Sequence, residues 1–212
     1  MKRLFDVIAA GIGLVAASPV LALVALAIRL ASGAPILFRQ TRVGRGGRPF
    51  TLWKFRTMTV MGSGEQGFRR KAQDGGSFAV GDASRVTPIG QLLRKSKLDE
   101  LPQLWNVLTG DMSLVGPRPE VRKWVDAYPE RWSRVLTVRP GITDPASIVY
   151  RNEEELLARS PDPERTYREV ILPHKLDLYE EYVRTQGFWR DIRVLLTTLW
   201  VVLQPAGGHE AH

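Results

Sequence analysis

Two adjacent carboxylates, Asp99 and Glu100, are the residues of this sequence best suited to covalent or acid–base chemistry. They lie in the run 96–103 (SKLDELPQ) and precede a helix that the proline of this run is predicted to start. Neighbouring side chains on a helix point in different directions, so the two need not do the same job. One could attack phosphorus while the other orients a metal ion or accepts a proton. The alternative is a favourable contact between two carboxylates and a helix dipole.

A second candidate is the single arginine of the run 110–119 (GDMSLVGPRP). Arg118 stands between Pro117 and Pro119, which restrict the backbone and hold the guanidinium in one place. A planar guanidinium is well suited to bidentate phosphate binding. The alternative is a structural turn that exposes an arginine to solvent.

Basic side chains form two further runs, 54–56 (KFR) and 94–97 (RKSK). Lys54, Arg56 and Arg94 could face phosphate oxygens, lipid headgroups or solvent, and solvent is the commonest neighbour of a charge run. The formal net charge of +8 favours an anionic partner, which could be nucleic acid, a membrane surface or a phosphorylated substrate.

Other kinds of site are disfavoured by what the sequence lacks. The 212 residues include no cysteine, which excludes disulfides, thiolate metal sites and a cysteine nucleophile. The three histidines, His174, His209 and His212, show no metal-ligand spacing. There is no P-loop, and no GxGxxG motif follows a strand and opens a helix.

The elements that must position these residues can be read from the hydrophobic pattern. Short strands are predicted at 36–38 and 50–53 around a Gly-rich turn at 44–47, followed by a surface loop at 61–84. One helix is predicted to start near Thr87-Pro88, with Ile89, Leu92 and Leu93 on one face. A second follows Pro102, with an apolar stripe of Leu101, Leu104, Trp105 and Leu108.

The N-terminal segment carries no charge from Val7 to Ile28, a length of about 33 Å as a helix. It could be a cleaved signal peptide, a membrane-spanning helix or a re-entrant helix with both ends on one membrane face. Arginine and lysine flank both ends, and the central Ser18-Pro19 pair can interrupt a helix while Ser18 bonds a freed carbonyl. We therefore favour the re-entrant interpretation.

The C-terminal stretch 188–203 is amphipathic, with tryptophan at both ends. Its apolar stripe could lie in a membrane interface or pack on the rest of the protein, and the pattern serves either purpose equally well.

Together these segments resemble the bacterial sugar transferase family, the small monotopic phosphoglycosyl transferases. The resemblance is dense over residues 1–143 and thinner to about 203. It rests on the runs 2–6 (KRLFD), 18–19 (SP), 38–40 (FRQ), 54–58 (KFRTM), 87–90 (TPIG), 98–104 (LDELPQL), 106–108 (NVL), 110–119 (GDMSLVGPRP) and 139–143 (RPGIT).

The resemblance implies a Mg²⁺-dependent enzyme of the bacterial inner membrane, facing the cytoplasm. Asp99 would attack the sugar-bearing phosphate of a UDP-sugar, release UMP and pass the phosphosugar to undecaprenyl phosphate, the first step of glycoconjugate or exopolysaccharide synthesis. Glu100 would help Asp99 to bind the metal or assist proton transfer. Arg118 would contact phosphate or the nucleotide, with Arg94 as a second phosphate candidate.

The sequence therefore predicts an α/β (α+β) fold in three parts. Residues 1–33 form a re-entrant membrane helix, 34–203 a compact catalytic domain with a small sheet and amphipathic interfacial helices, and 204–212 a tail. Membrane lipid is an expected partner, nucleic acid is not, and a homodimer is left open.

Two alternative functions remain: a Mg²⁺-dependent hydrolase of the same substrates, and a membrane-anchored basic module that binds anionic lipid or nucleic acid. The run 144–149 (DPASIV) departs from the family's usual pattern after Gly-Ile-Thr, so no sugar is predicted.

Overall fold

The fold is described from a computed structural model over residues 1–59 and 85–204. The predicted loop at 61–84, most of the predicted tail, and His209 and His212 lie outside these residues. The helices are α1 (Lys2–Ser32), α2 (Pro88–Lys95), α3 (Gln103–Thr109), α4 (Arg122–Ala127), α5 (Pro129–Val135), α6 (Pro145–Val149), α7 (Glu153–Ala158), α8 (Pro163–Thr166), α9 (Leu172–Thr185) and α10 (Phe188–Leu203). The strands are β1 (Leu37–Val43), β2 (Pro49–Phe55), β3 (Ser113–Val115) and β4 (Gly141–Thr143).

The strands form two small sheets, in agreement with the predicted mixed fold. β1 and β2 pair as the expected antiparallel hairpin, whereas β3 and β4 pair in parallel. An edge of the hairpin is covered by Asn106 of α3: its amide nitrogen donates to the Thr51 carbonyl at 2.7 Å, and its Oδ1 accepts from the Trp53 amide at 3.2 Å. A side chain thus satisfies backbone groups that an edge strand would otherwise leave unpaired.

Helix α1 continues through the Ser18-Pro19 pair over all 31 of its residues. Proline at position 19 cannot donate a hydrogen bond to the carbonyl of Val15, four residues earlier. The Ser18 hydroxyl donates to that same carbonyl at 2.7 Å. Ser18 therefore supplies the missing donor, as the sequence predicted. The predicted helix-break-helix is wrong, because the helix continues without interruption through Pro19.

Both ends of α1 contact the domain formed by the rest of the chain. At the first turn, Arg3 donates to the Val107 and Leu108 carbonyls of α3 at 2.6 and 3.1 Å. Buried Asp6 accepts from the Ser113 hydroxyl at 2.8 Å and from the Leu114 amide at 3.2 Å. Near the other end, Ile28 is buried in a cluster with Phe55 and Leu93.

Most of the remaining surface of α1 is apolar and exposed. Among the described residues, α1 is the one helix that is long and apolar enough to cross a membrane, and its mean hydropathy is 2.4. The exposed apolar side chains are Leu4, Ile8, Ile12, Val15, Val20, Leu23, Leu26 and Leu30.

The two predicted helices beside the carboxylate pair are present, but their buried faces differ from the prediction. Thr87 caps α2 by accepting from the Gly90 amide at 3.0 Å, and Leu93 is buried. Leu92 and Trp105, both predicted to be on buried stripes, are 64% and 55% exposed. In α3 the buried positions include the polar residues Gln103 and Asn106 instead.

The main apolar core lies among α4, α5, α9 and the segment 167–171. Its largest members are Trp124, Trp132, Tyr167 and Tyr179, and it extends to Val43 at the end of β1. The loop 116–120 is anchored to this core, because Val121, the residue directly after the loop, is a member of the core. The C-terminal half of the chain therefore holds the region around Arg118 in place.

Candidate active site

The carboxylate pair lies on a short 3₁₀ turn, Leu98–Glu100, between α2 and α3. Lys97 enters it with φ 56°, in the left-handed region that residues other than glycine seldom adopt. The Ser96 hydroxyl donates to the Leu92 carbonyl at 2.8 Å and closes the end of α2. The chain therefore reverses sharply, and Asp99 and Glu100 leave the turn in different surroundings.

Glu100 is held by two cations. Lys54 Nζ donates to its Oε1 at 2.9 Å, and the Arg118 guanidinium binds both carboxylate oxygens, with Nη1 at 3.2 Å from Oε2. Burial opposes ionisation of Glu100, but Arg118 and Lys54 outweigh it and hold the pKa of the carboxyl well below its usual range. Glu100 is thus an ionised carboxylate that Lys54 and Arg118 hold in place.

Asp99 has a different environment. Its side chain is buried, and Oδ1 has no hydrogen-bond partner. Burial raises the pKa of this carboxyl, with an additional contribution from the negative charge of Glu100, while Lys54 lowers it. A more basic carboxylate with a free oxygen is the better nucleophile of the two. The sequence-based expectation of two separate roles therefore has a physical basis.

Lys54 and Arg118 reach Glu100 from different parts of the chain. Lys54 lies on β2, whose partner residue across the hairpin is Phe38. Arg118 lies on the loop after β3, and the negative charge of Glu100 raises the pKa of its guanidinium well above the usual value. Burial lowers the pKa of Lys54, and Glu100 opposes that effect. Four of the predicted site residues, Asp99, Glu100, Lys54 and Arg118, are therefore brought together.

Pro117 and Pro119 flank Arg118, and the carbonyl of each proline accepts a hydrogen bond from another segment of the protein. The Gly141 amide donates to the Pro117 carbonyl at 3.0 Å, and Arg42 Nη1 donates to the Pro119 carbonyl at 3.0 Å.

Two predicted phosphate-binding residues have other partners. The Arg56 guanidinium is buried and donates to the carbonyls of Ser32, Gly33 and Ala34 at 2.8–3.0 Å. This places Arg56 at the C-terminal end of α1, where a cation satisfies the unpaired carbonyls of the helix. Arg94 donates to the Thr57 hydroxyl at 3.0 Å and pairs with exposed Glu154 at 3.2 Å. The sequence could not reveal these partners, since most are distant along the chain.

Sequence reasoning missed a second buried charged group, next to the loop of Arg118. Glu120 accepts from Arg42 Nη1 at 3.1 Å and from the Tyr167 hydroxyl at 2.5 Å. The available signal was a carboxylate placed directly after Pro-Arg-Pro and before the apolar Val121.

The donors for a metal ion are few. Within 1–59 and 85–204 no group of three or more His, Asp or Glu side chains is arranged to hold a metal. Both oxygens of Glu100 already accept from cations, whereas Asp99 Oδ1 is free. Mg²⁺ commonly binds one or two carboxylates and completes its shell with water and substrate phosphates. The dyad fits that sparse type of site and not a dedicated protein cage.

The chain thus combines a long apolar helix with a domain in which one carboxylate of an adjacent pair is bound by two cations. The bacterial sugar transferase family model matches residues 1–205. The chain is 37% identical over 98% of its length to the sugar transferase EpsL of Bacillus subtilis, and covers 89% of that protein. It is 38% identical over 93% of its length to a UDP-glucose:undecaprenyl-phosphate glucose-1-phosphate transferase of Caulobacter vibrioides, and covers 68% of it.

A further relative is the UDP-N-acetylgalactosamine-undecaprenyl-phosphate N-acetylgalactosaminephosphotransferase of Aeromonas hydrophila. It is 36% identical over 98% of this chain, which spans 45% of that longer protein. The chain belongs to the bacterial sugar transferase family.

Proposed function

We propose that this protein is a phosphoglycosyl transferase that moves a sugar 1-phosphate from a UDP-sugar to polyprenol phosphate. The observation that carries the proposal is the asymmetric dyad, in which buried Asp99 has a free oxygen beside a Glu100 that is fixed by Lys54 and Arg118. The names of the Caulobacter and Aeromonas relatives support both substrate classes. The product is the first lipid-linked sugar of a glycoconjugate or exopolysaccharide.

In the first step, an oxygen of Asp99 attacks the phosphorus that carries the sugar. The bond from that phosphorus to the bridging oxygen breaks, and UMP leaves with the electron pair. Asp99 then carries the phosphosugar as a covalent acyl phosphate. Arg118 and Lys54 are the cations that would neutralise the developing negative charge, because the positive charge of each already acts on the Asp99 carboxyl and lowers its pKa.

In the second step, a phosphate oxygen of the polyprenol carrier attacks the same phosphorus. The bond between phosphorus and Asp99 breaks, and the carboxylate is regenerated. The product is a polyprenol diphosphate sugar. Water must be kept from the acyl phosphate between the steps, and the burial of Asp99 supports this requirement.

We propose that Mg²⁺ takes part in the reaction, and that Asp99 and Glu100 would hold it. When bound, it supplies neutralisation of phosphate charge. Removal of divalent cations with a chelator is expected to abolish UMP release, and added Mg²⁺ to restore it. Full activity in the chelator would contradict this part of the proposal.

We further propose that α1 is re-entrant and that the domain lies on the cytoplasmic face of the bacterial inner membrane. Arg3 and Asp6 at one end and Ile28 at the other contact the same domain. A domain cannot lie on both sides of a bilayer, so these contacts favour both helix ends on one side. The exposed apolar surface of α1 supports lipid contact along its length.

The function is tested by measuring UMP release from a panel of UDP-sugars with undecaprenyl phosphate and Mg²⁺. The wild type is expected to release UMP and form a lipid-linked sugar with at least one donor, and Asp99→Asn is expected to lose both activities. A matched control is Asp126→Asn, which alters an exposed carboxylate on α4. Release of free sugar phosphate without lipid product would favour a hydrolase instead.

A further inference from the structure

The loop of Arg118 depends on bonds that neighbouring segments supply. Proline has no amide N–H, so Pro117 and Pro119 cannot donate to a strand or turn. The flanking residues compensate: the Gly116 amide donates to the Thr143 carbonyl at 3.0 Å, and the Val43 amide donates to the Glu120 carbonyl at 2.9 Å. The position of Arg118 is therefore set by what holds residues 116–120.

Glu120 is the charged residue that ends this loop. It is 7% exposed, and its carboxylate accepts from Arg42, from Tyr167 and from the Val121 amide, the last at 3.3 Å. Arg42 also binds the Pro119 carbonyl, so one guanidinium fixes both the backbone and the side chain at the loop's end. Hydrogen bonds to a buried charge are strong, and losing one leaves the carboxylate partly unsatisfied.

Tyr167 connects Glu120 to polar side chains of α7 and α9. The tyrosine is 1% exposed, and burial raises the pKa of its hydroxyl well above the usual value, which keeps it a donor. Lys175 Nζ lies 3.5 Å from that hydroxyl and donates to Glu153 at 2.9 Å. A buried polar chain thus runs from α7 and α9 to the loop of Arg118.

We infer that Glu120 and Tyr167 are positioning residues, which act on the reaction through Arg118 by fixing the loop that carries it. This inference rests on the proposed function, in which Arg118 neutralises charge on the transferred phosphate. The transfer is sensitive to placement, since a shift of about 1 Å can cost on the order of a hundredfold in rate. The C-terminal helices thereby hold the Arg118–Glu100 pair.

A double-mutant cycle tests the route through Arg118. Tyr167→Phe keeps the ring but removes the bond to Glu120, and is expected to lower kcat roughly tenfold. In an Arg118→Lys background the same change is expected to lower kcat by less than about twofold, because the residue that it positions is already altered. Equal effects in both backgrounds would overturn the inference.

A matched control keeps loss of folding apart from loss of positioning. Tyr128 packs against the same core, and its hydroxyl donates to the Arg168 carbonyl at 2.9 Å, so Tyr128→Phe also removes one hydrogen bond. It is expected to leave kcat within about twofold of the wild type. A tenfold loss in this control would mean that any core tyrosine matters, and would overturn the specific role of Tyr167.

Hydrogen–deuterium exchange provides a readout that does not need turnover. In Tyr167→Phe, the amides of Val43 and Val121 are expected to exchange faster than in the wild type, because both bond to Glu120. Unchanged exchange there would overturn the inference even in an active enzyme. If the wild type released no UMP, the proposed function would fail. The exchange experiment would still show whether Tyr167 fixes the loop that carries Arg118. Should Tyr167→Phe fail to fold, Glu120→Gln replaces it in both experiments.

Discussion

At the residue scale, the reactivity of the dyad depends on the different partners of two adjacent carboxyls. Sequence alone identified Asp99 and Glu100 and indicated that they could differ. It could not reveal that Arg118, 18 positions further on, binds Glu100 and leaves Asp99 Oδ1 free. The fold sets which residues pair across such a distance along the chain. From the sequence alone, the arginine could equally have faced a substrate phosphate without contacting Glu100.

If Asp99 is the nucleophile, as proposed, the pH dependence of the reaction follows from the environment of its carboxyl. Burial raises the pKa of this carboxyl, and only its ionised form can attack. Activity is therefore expected to be full above the raised pKa and to fall as the pH drops through it. Since Lys54 lowers the pKa of Asp99 and Glu100 raises it, Lys54→Met should move the acid limb to higher pH and Glu100→Gln to lower pH.

The measurement is kcat/KM against pH for the wild type and both variants. Lys54→Arg is the control, because it keeps the positive charge that Lys54→Met removes. Its acid limb should stay near that of the wild type. Shifts of the same sign in Lys54→Met and Glu100→Gln would contradict the assignment of Asp99 as the titrating nucleophile.

At the element scale, close contact between β3 and β4 positions the loop of Arg118. A methyl group at Gly141 would overlap the backbone nitrogen and oxygen of Gly116, so the two strands would have to separate. Gly141→Ala is expected to destabilise the protein by roughly 1–3 kcal/mol and to lower activity. Thermal unfolding and UMP release measure the two effects.

The matched control for that change is Gly11→Ala on α1, where an added methyl group meets no atom within 4 Å. Because alanine is the better helix former, this variant should be as stable as the wild type or slightly more so. Equal stability of Gly141→Ala and Gly11→Ala would refute the close-contact argument.

The starts of the helices were more predictable than their buried faces. The C-terminal helix appears at 188–203, and α2 and α3 begin where predicted. The strand predicted at 36–38 instead continues to Val43, and the one predicted at 50–53 extends from Pro49 to Phe55. Burial was misjudged where the fold uses polar side chains: Asn106 faces inward to satisfy the edge of the hairpin, and Trp105 is exposed. A hydrophobic pattern cannot anticipate a backbone edge that needs an amide side chain.

At the scale of the whole molecule, α1 and α10 meet at their N-terminal ends, and each carries exposed apolar side chains. Phe5 and Phe188 meet edge to face with ring centroids 5.5 Å apart, and Lys2 pairs with Asp191. Leu196, Leu199 and Trp200 are more than half exposed on α10. From the sequence, lipid contact and core packing were equally plausible for this helix. In the structure, one side of α10 buries Val194 in the protein, whereas the other side exposes these apolar residues.

Single cysteines test this arrangement, since the chain has none of its own. A cysteine placed before Met1 and one at Ala31 should both react with an impermeant reagent from the cytoplasmic side only. A fluorophore on Leu199→Cys should be quenched by brominated lipid. The control, Val170→Cys, lies at a similarly exposed position outside both helices and should not be quenched. Reaction of the two α1 cysteines from opposite sides would contradict a re-entrant helix.

The most direct test of the central claim, that Asp99 carries the phosphosugar, is isotope exchange without the lipid acceptor. Labelled UMP is incubated with the enzyme, Mg²⁺ and the UDP-sugar that supports turnover. A covalent intermediate predicts that the label enters the UDP-sugar in the absence of polyprenol phosphate, and that Asp99→Asn loses this exchange. Turnover with acceptor but no exchange without it, or exchange that persists in Asp99→Asn, would contradict the account.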